Sequence, residues 1–221
     1  MRTLRLSILS LVLCALLTVL LSACSSRPTD FYMLAADTEP LSAATMPETT
    51  LALGGIMIPA YLDRPSVVVL AGEGTGLTVP RFNVWAEPLQ QGLRRVMASM
   101  LAKPLYEEGV TVLPRGADRG DTDFALHMEI VRLDADANGN VVLEARWTLV
   151  NREDKRVAGR GRFAASDKID MPAFGSSAMF NSVVEAESRL VQTYAKELSA
   201  ELKRIVRKER ARGTARTGRD R

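Results

Sequence analysis

Residues 124–163 alternate apolar and polar side chains in three successive runs, and this pattern limits the fold more than any other stretch. Phe124, Leu126, Met128 and Ile130 alternate with Ala125, His127 and Glu129. Leu143, Ala145, Trp147 and Leu149 alternate with Glu144, Arg146 and Thr148. A period of two puts successive side chains on opposite faces of a strand, so each run has one dry face and one wet face. Asn138-Gly139 is a hairpin signal between the first two runs, because glycine accepts the positive φ that a tight turn needs. A second turn over 151–155 returns the chain through Val157, Gly159, Gly161 and Phe163. Such a three-strand antiparallel meander has an apolar face that another part of the chain must cover.

Two amphipathic segments can cover it. Glu87-Pro88 opens the first helix, with Pro suited to a first helical turn and Glu87 placed to cap free backbone N–H groups. Leu89, Leu93, Val96, Met97, Met100 and Leu101 form one stripe, and Lys103-Pro104 is expected to stop it. In the second helix Val183, Leu190, Val191, Tyr194, Leu198, Leu202 and Ile205 recur at helical spacing, from just after Gly175-Ser176 to about Val206. Further strands are expected over 31–34, 51–58, 67–70, 77–85 and 110–113, with a loop over 37–49 and a glycine-rich turn over 72–76. The expected fold class is α/β: a single domain with a mixed sheet that includes the antiparallel three-strand meander, and two main amphipathic helices packed on it.

Charge and cysteine usage narrow the function. The 221 residues carry a formal net charge of +3, but residues 203–221 alone contribute +7 and the body over 24–202 is −6. The basic character belongs to the end of the chain, so a nucleic-acid footprint across a folded face is not expected. The chain has two cysteines, Cys14 and Cys24, and one histidine, His127. The body after Cys24 therefore holds no intrachain disulfide, no cysteine nucleophile and no thiolate metal site.

Cys14 and Cys24 lie in and just after an apolar run over 6–23, preceded by Arg2 and Arg5. A basic start, an apolar stretch and small residues make the layout of a secretory signal. A transmembrane helix is the alternative, since 18 residues is near the lower limit for spanning. Leu21-Ser22-Ala23-Cys24 separates the two, because it resembles the lipobox of bacterial lipoproteins, in which the thiol is acylated before cleavage. That resemblance implies a cleaved signal peptide over 1–23, a covalent lipid on Cys24 and a tether over 24–30. The folded domain is expected over 31–206, followed by a basic, disordered tail over 207–221. Ser25 rather than Asp after the lipidated cysteine implies, by the same resemblance, the outer membrane and its periplasmic face.

Little in the body suggests catalysis. There is no G-x-S-x-G elbow, and the 72–76 turn lacks the Lys-Ser/Thr of a phosphate loop. His127 falls on the wet parity of its strand and reads as a surface residue. Asp63, Glu87, Glu107 and Glu108 could pair as acid and base, yet all four lie in polar stretches, and the sequence by itself does not set any two at the ~5–10 Å that glycoside hydrolysis requires. The expectation is a non-enzyme with no metal and no cofactor other than the lipid on Cys24.

Two segments combine polar and aromatic residues: Tyr61-Leu62-Asp63-Arg64-Pro65, and Trp85-Ala86-Glu87-Pro88-Leu89. They suit fold-defining corners, with Tyr61 and Trp85 filling core. Equally they suit a partner-binding surface made of Tyr61, Leu62, Asp63, Arg64, Pro65, Trp85 and Glu87, since Tyr, Trp and Arg are enriched at interfaces. Together with the lipobox, the early Phe31-Tyr32-Met33-Leu34 and the final helix, this pair resembles the PqiC (YmbA) family of lipoproteins. The resemblance implies an auxiliary lipoprotein of ABC-type transporters that carry MCE proteins, with a mixed α/β fold. On that basis the partners are an MCE-domain protein of the same lipid transport system, the outer membrane through the lipid anchor, and further copies in a homo-oligomer, without nucleic acid. The basic tail departs from the family pattern; it touches anionic lipid or has no role. An envelope scaffold lipoprotein, binding an outer-membrane protein or peptidoglycan complex, shares the same anchor and fold. A third reading, a lipoprotein hydrolase, requires carboxylates clustered in a cleft.

Overall fold

A computed structural model describes residues 28–37, 47, 49–71, 76–113 and 122–217. The signal segment over 1–23, Cys24, residues 25–27 of the tether, most of the 37–49 loop and residues 72–75 lie outside the described residues. The strands are β1 (Asp30–Tyr32), β2 (Thr49–Met57), β3 (Val69–Ala71), β4 (Gly76–Thr78), β5 (Asn83–Trp85), β6 (Val110–Leu113), β7 (Phe124–Ala135), β8 (Asn140–Asn151) and β9 (Arg156–Lys168). The helices are α1 (Leu89–Tyr106) and α2 (Ser177–Thr217).

The meander is the centre of the molecule. β7, β8 and β9 pair antiparallel along nearly their whole length. The other edge of β7 takes β2 in parallel over its first half and β3 at Ala135, and β2 carries β6 while β3 carries β4. β1 and β5 form a separate two-stranded parallel sheet. The sheet is thus mixed and α1 and α2 cover it, as expected. α1 lies across β2 and β6, and α2 lies across β8 and β9 and against α1. All the stripe residues of both helices are buried, as are Leu143, Ala145, Trp147 and Leu149 of β8.

Five local expectations are corrected. The expected 77–85 strand is two short strands in different sheets, interrupted at Pro80, which has no N–H to donate to a ladder. α1 does not stop at Lys103-Pro104 but runs to Tyr106. Proline that close to the end removes one hydrogen bond, and fully buried Leu105 holds the last turn in the core. The stop is Gly109, whose φ of +71° reverses the chain after Gly109 N–H donates to the Tyr106 carbonyl at 2.8 Å.

Val157, expected on the dry face, is exposed, because a bulge between Leu149 and Val150 leaves Ala158 unpaired and flips the strand's parity. Glu87 makes no cap at the start of α1. Lastly, α2 continues past Val206 to Thr217, so residues 207–217 are helical and not a disordered tail. Polar contacts hold this extension. Arg207 pairs with Glu108, Arg156 pairs with Glu209, and Arg210 donates to the Gly109 carbonyl at 2.8 Å, at the carbonyl end of α1.

Candidate functional site

The two segments singled out in the sequence meet in space. Trp85 N–H donates to the Pro65 carbonyl at 2.6 Å, and Val67 N–H donates to the Asn83 carbonyl at 3.1 Å. Ser66 forms an isolated antiparallel bridge with Val84. β5 therefore lies between β1 on one side and the end of the Tyr61–Pro65 turn on the other. Leu62 N–H donates to the Pro59 carbonyl at 2.9 Å, which closes the turn.

Inside this joined corner the residues divide by exposure. Leu62 and Trp85 are buried, Tyr61 is half-buried, and Asp63 and Pro65 stand exposed. Arg64 is half-buried, with its Nε shut from solvent and unpartnered. Tyr61 donates its hydroxyl to Asp134 Oδ2 at 2.8 Å, while Arg132 Nε donates to Asp134 Oδ1 at 2.9 Å. Both oxygens of this buried carboxylate are thus satisfied, one by the corner and one by its own strand. Burial first, then the bond to Asp134, pushes the Tyr61 phenol far above its ordinary range, so it stays a donor.

Asp134 is in place because β7 carries a bulge between Ile130 and Arg132. Before it, even-numbered residues face the helices; after it, Leu133 and Ala135 do, and Asp134 turns to the other face, opposite Val142. There the Tyr61 corner covers it. A second buried carboxyl is Glu187 of α2, 2% exposed, with Oε2 unpartnered. Burial, and secondarily the charge of Asp134, raises the Glu187 carboxyl well above its usual range. Neither carboxylate stood out in the sequence; Glu187 alone carried a signal, as an acidic residue at helical spacing from Val183, Leu190 and Val191 in the apolar stripe of α2.

Glu87 links a second pair of elements. Its Oε1 accepts from Arg95 Nε at 2.8 Å and Nη2 at 2.6 Å, two turns along α1, and Arg95 Nη2 also donates to the Leu34 carbonyl at 3.0 Å. The Glu87 side chain runs along the helix over Gly92, where a Cβ would stand 3.3 Å from Oε1. With Pro88 next in the chain and Arg95 within reach, the carboxylate forms an ion pair instead of a cap. An open groove of about 830 Å³ starts there and follows α1 past Gln91, Arg94 and Ser99 to Val112.

The other candidates lie apart from the corner. Glu107 pairs with Lys203, and Glu108 with Arg207. The hydrogen bond from Arg207 holds the Glu108 carboxyl below its usual range. His127 is exposed on the outer face of β7 beside Gly54, whose absent side chain leaves room for the ring. Cys24 lies outside the described residues.

The fold recurs in solved structures. An uncharacterized protein is similar over 80% of this chain and 99% of its own, at 17% identity and a TM-score of 0.62. Protein XCC0632 from Xanthomonas campestris is similar over 82% of this chain and 99% of its own, also at 17% identity, with a TM-score of 0.60. No curated protein matches the chain. The family described as the ABC-type transport auxiliary lipoprotein component matches residues 32–199, from Tyr32 of β1 through both corners and the meander into α2. The lipobox and the two corner motifs therefore sit in a chain that belongs to the ABC-type transport auxiliary lipoprotein family.

Proposed function

We propose that the mature chain, acylated at Cys24, is the outer-membrane lipoprotein subunit of an MCE/ABC-type intermembrane lipid transport system. It docks the periplasm-spanning MCE protein at the membrane and so supports envelope integrity. The family match over 32–199 carries this reading, joined to a lipobox that ends only six residues before β1. The lipid dominates attachment, since each buried methylene contributes about 0.8 kcal/mol and two or three acyl chains are effectively permanent.

The role on this reading is mechanical rather than catalytic. The joined corner is the docking surface: Leu62 and Trp85 set its shape from the core, Tyr61 ties it to Asp134, and Asp63, Arg64 and Pro65 face the partner. Glu87 and the groove along α1 extend the surface away from the turn. Crosslinking in cells, followed by affinity purification and mass spectrometry, tests this. An MCE-domain protein in the eluate, lost with Cys24→Ala, is the expected result. Outer-membrane proteins or peptidoglycan fragments without any MCE protein would replace it with the scaffold reading.

A further inference from the structure

The chain has six phenylalanines, two tryptophans and four tyrosines, and only Phe31 and Phe174 are exposed, at 70% and 53%. Although 143 residues apart, they lie at one end of the molecule. Asp30, next to Phe31, accepts a hydrogen bond from the Ser177 hydroxyl, and the Tyr32 hydroxyl donates to the Ser177 carbonyl at 3.5 Å. The Tyr32 and Phe180 rings stand 6.4 Å apart, so the start of α2 is pinned to β1. Phe174 precedes Ser177 by three residues, which puts its backbone within about 11 Å of that contact. Met33, two residues beyond Phe31, is a third exposed apolar side chain, at 57%. Arg81 is exposed beside Phe82, whose carbonyl accepts Asp30 N–H at 2.7 Å, so a cation borders the patch.

The chain enters the fold at this same end. Five residues separate Cys24 from Asp30, and the six steps between them reach at most about 21 Å when extended. An acyl group on Cys24 therefore keeps Phe31 close to the bilayer whatever the domain does. The opposite end of α2 is far away, because 41 residues at about 1.5 Å each make a helix about 60 Å long. Three arginines near that end have partners within the fold: Arg207 on Glu108, Arg210 on the Gly109 carbonyl and Arg212 on Glu209.

We propose that Phe31, Met33 and Phe174 form a membrane-contacting end, seated in the boundary between headgroups and acyl chains of the bilayer that holds the lipid on Cys24. This rests on the reading of Cys24 as the lipidated residue. Exposed rings and a methionine beside an anchor fit that boundary, and Arg81 meets the anionic headgroups at its rim. A lipid on so short a tether holds the domain without orienting it. A second contact made by the protein itself gives it a direction, with α2 rising from the membrane and its basic end pointing away.

The mature chain suits a direct test, since its one cysteine is blocked by acylation and an introduced thiol is labelled alone. Phe174→Cys, and separately Lys208→Cys at the far end of α2, would each carry a fluorophore. The acylated proteins are placed in vesicles of phosphatidylethanolamine and phosphatidylglycerol that contain spin-labelled lipid. Loss of emission at position 174 with emission retained at 208 is the expected result, and Phe31→Cys gives a second reading should the label disturb the loop before α2. Emission retained at 174, 31 and 208 on protein that floats with the vesicles would overturn the proposal and assign the patch to a second copy or a partner subunit. Emission lost at both ends would overturn the upright orientation. Protein that does not float with vesicles would defeat the lipidation of Cys24, and this proposal with it.

Discussion

Replacing Glu187 by glutamine should remove a pH-dependent loss of stability. Glu187 is 2% exposed, its Oε2 has no partner, and burial followed by the charge of Asp134 raises its carboxyl well above 4.5. A folded state that holds the proton more tightly than the unfolded chain is favoured at low pH. That advantage is complete below about pH 4.5 and is lost as pH climbs toward the folded-state value. Over that window one proton sets the slope, about 1.4 kcal/mol for each pH unit. The loss grows at that slope until the pH reaches the folded-state value and then levels off. Glutamine has nearly the shape of the protonated acid and no charge to bury. Urea unfolding of the parent and of Glu187→Gln, followed in parallel from about pH 5 to about pH 8, measures the difference directly, since every other titrating group is shared. The parent should lose stability against the variant as pH rises. A difference that stays constant across the range would refute the assignment of Glu187 as a buried, protonated acid.

Tyr61→Phe should cost about 1.5 kcal/mol in chemical denaturation, the lower end for a bond to a charged group, because the ring is half-buried. Coincident unfolding curves would mean that the corner is not tied down through Asp134. Gly161→Ala should cost about 1–3 kcal/mol by overpacking, since a Cβ there would stand 2.7 Å from Nε1 of buried Trp147. The Trp147 emission should shift as the ring gives way, and unchanged emission and stability would count against this packing. Ending the chain at Val206 should lower Tm and speed amide exchange over residues 107–109, which Arg207 and Arg210 hold from α2. Unaltered exchange there would show that the extension of α2 supports nothing.

Much of the scaffold was legible because its cause is local. Alternation at period two marks a strand with one dry face, and the apolar stripes of α1 and α2 mark the faces that cover it; neither depends on what lies far along the chain. Where the reading slipped, a distant partner or a single inserted residue was responsible. Val157 turned outward on a one-residue bulge, which reverses every side chain beyond it while leaving composition unchanged. α2 ran past Val206 because its last turns are held by Glu108, 99 residues away from Arg207, and by Arg156. A search for apolar periodicity is blind to such contacts.

The same division holds at the candidate site. Sequence by itself determined the anchor motif at Cys24, the meander, the two covering helices and the identity of the two corner segments, since each is written in neighbouring residues. Only the tertiary structure decided that the corners join into one surface through the Pro65–Trp85 hydrogen bond. It likewise divided their residues into buried supports and exposed contacts, and brought Asp134 beneath Tyr61 across 73 residues. Those choices follow from a bulge that reverses one strand's parity and from hydrogen bonds that must be satisfied wherever the chain happens to meet itself, and neither leaves a local mark in the order of the residues.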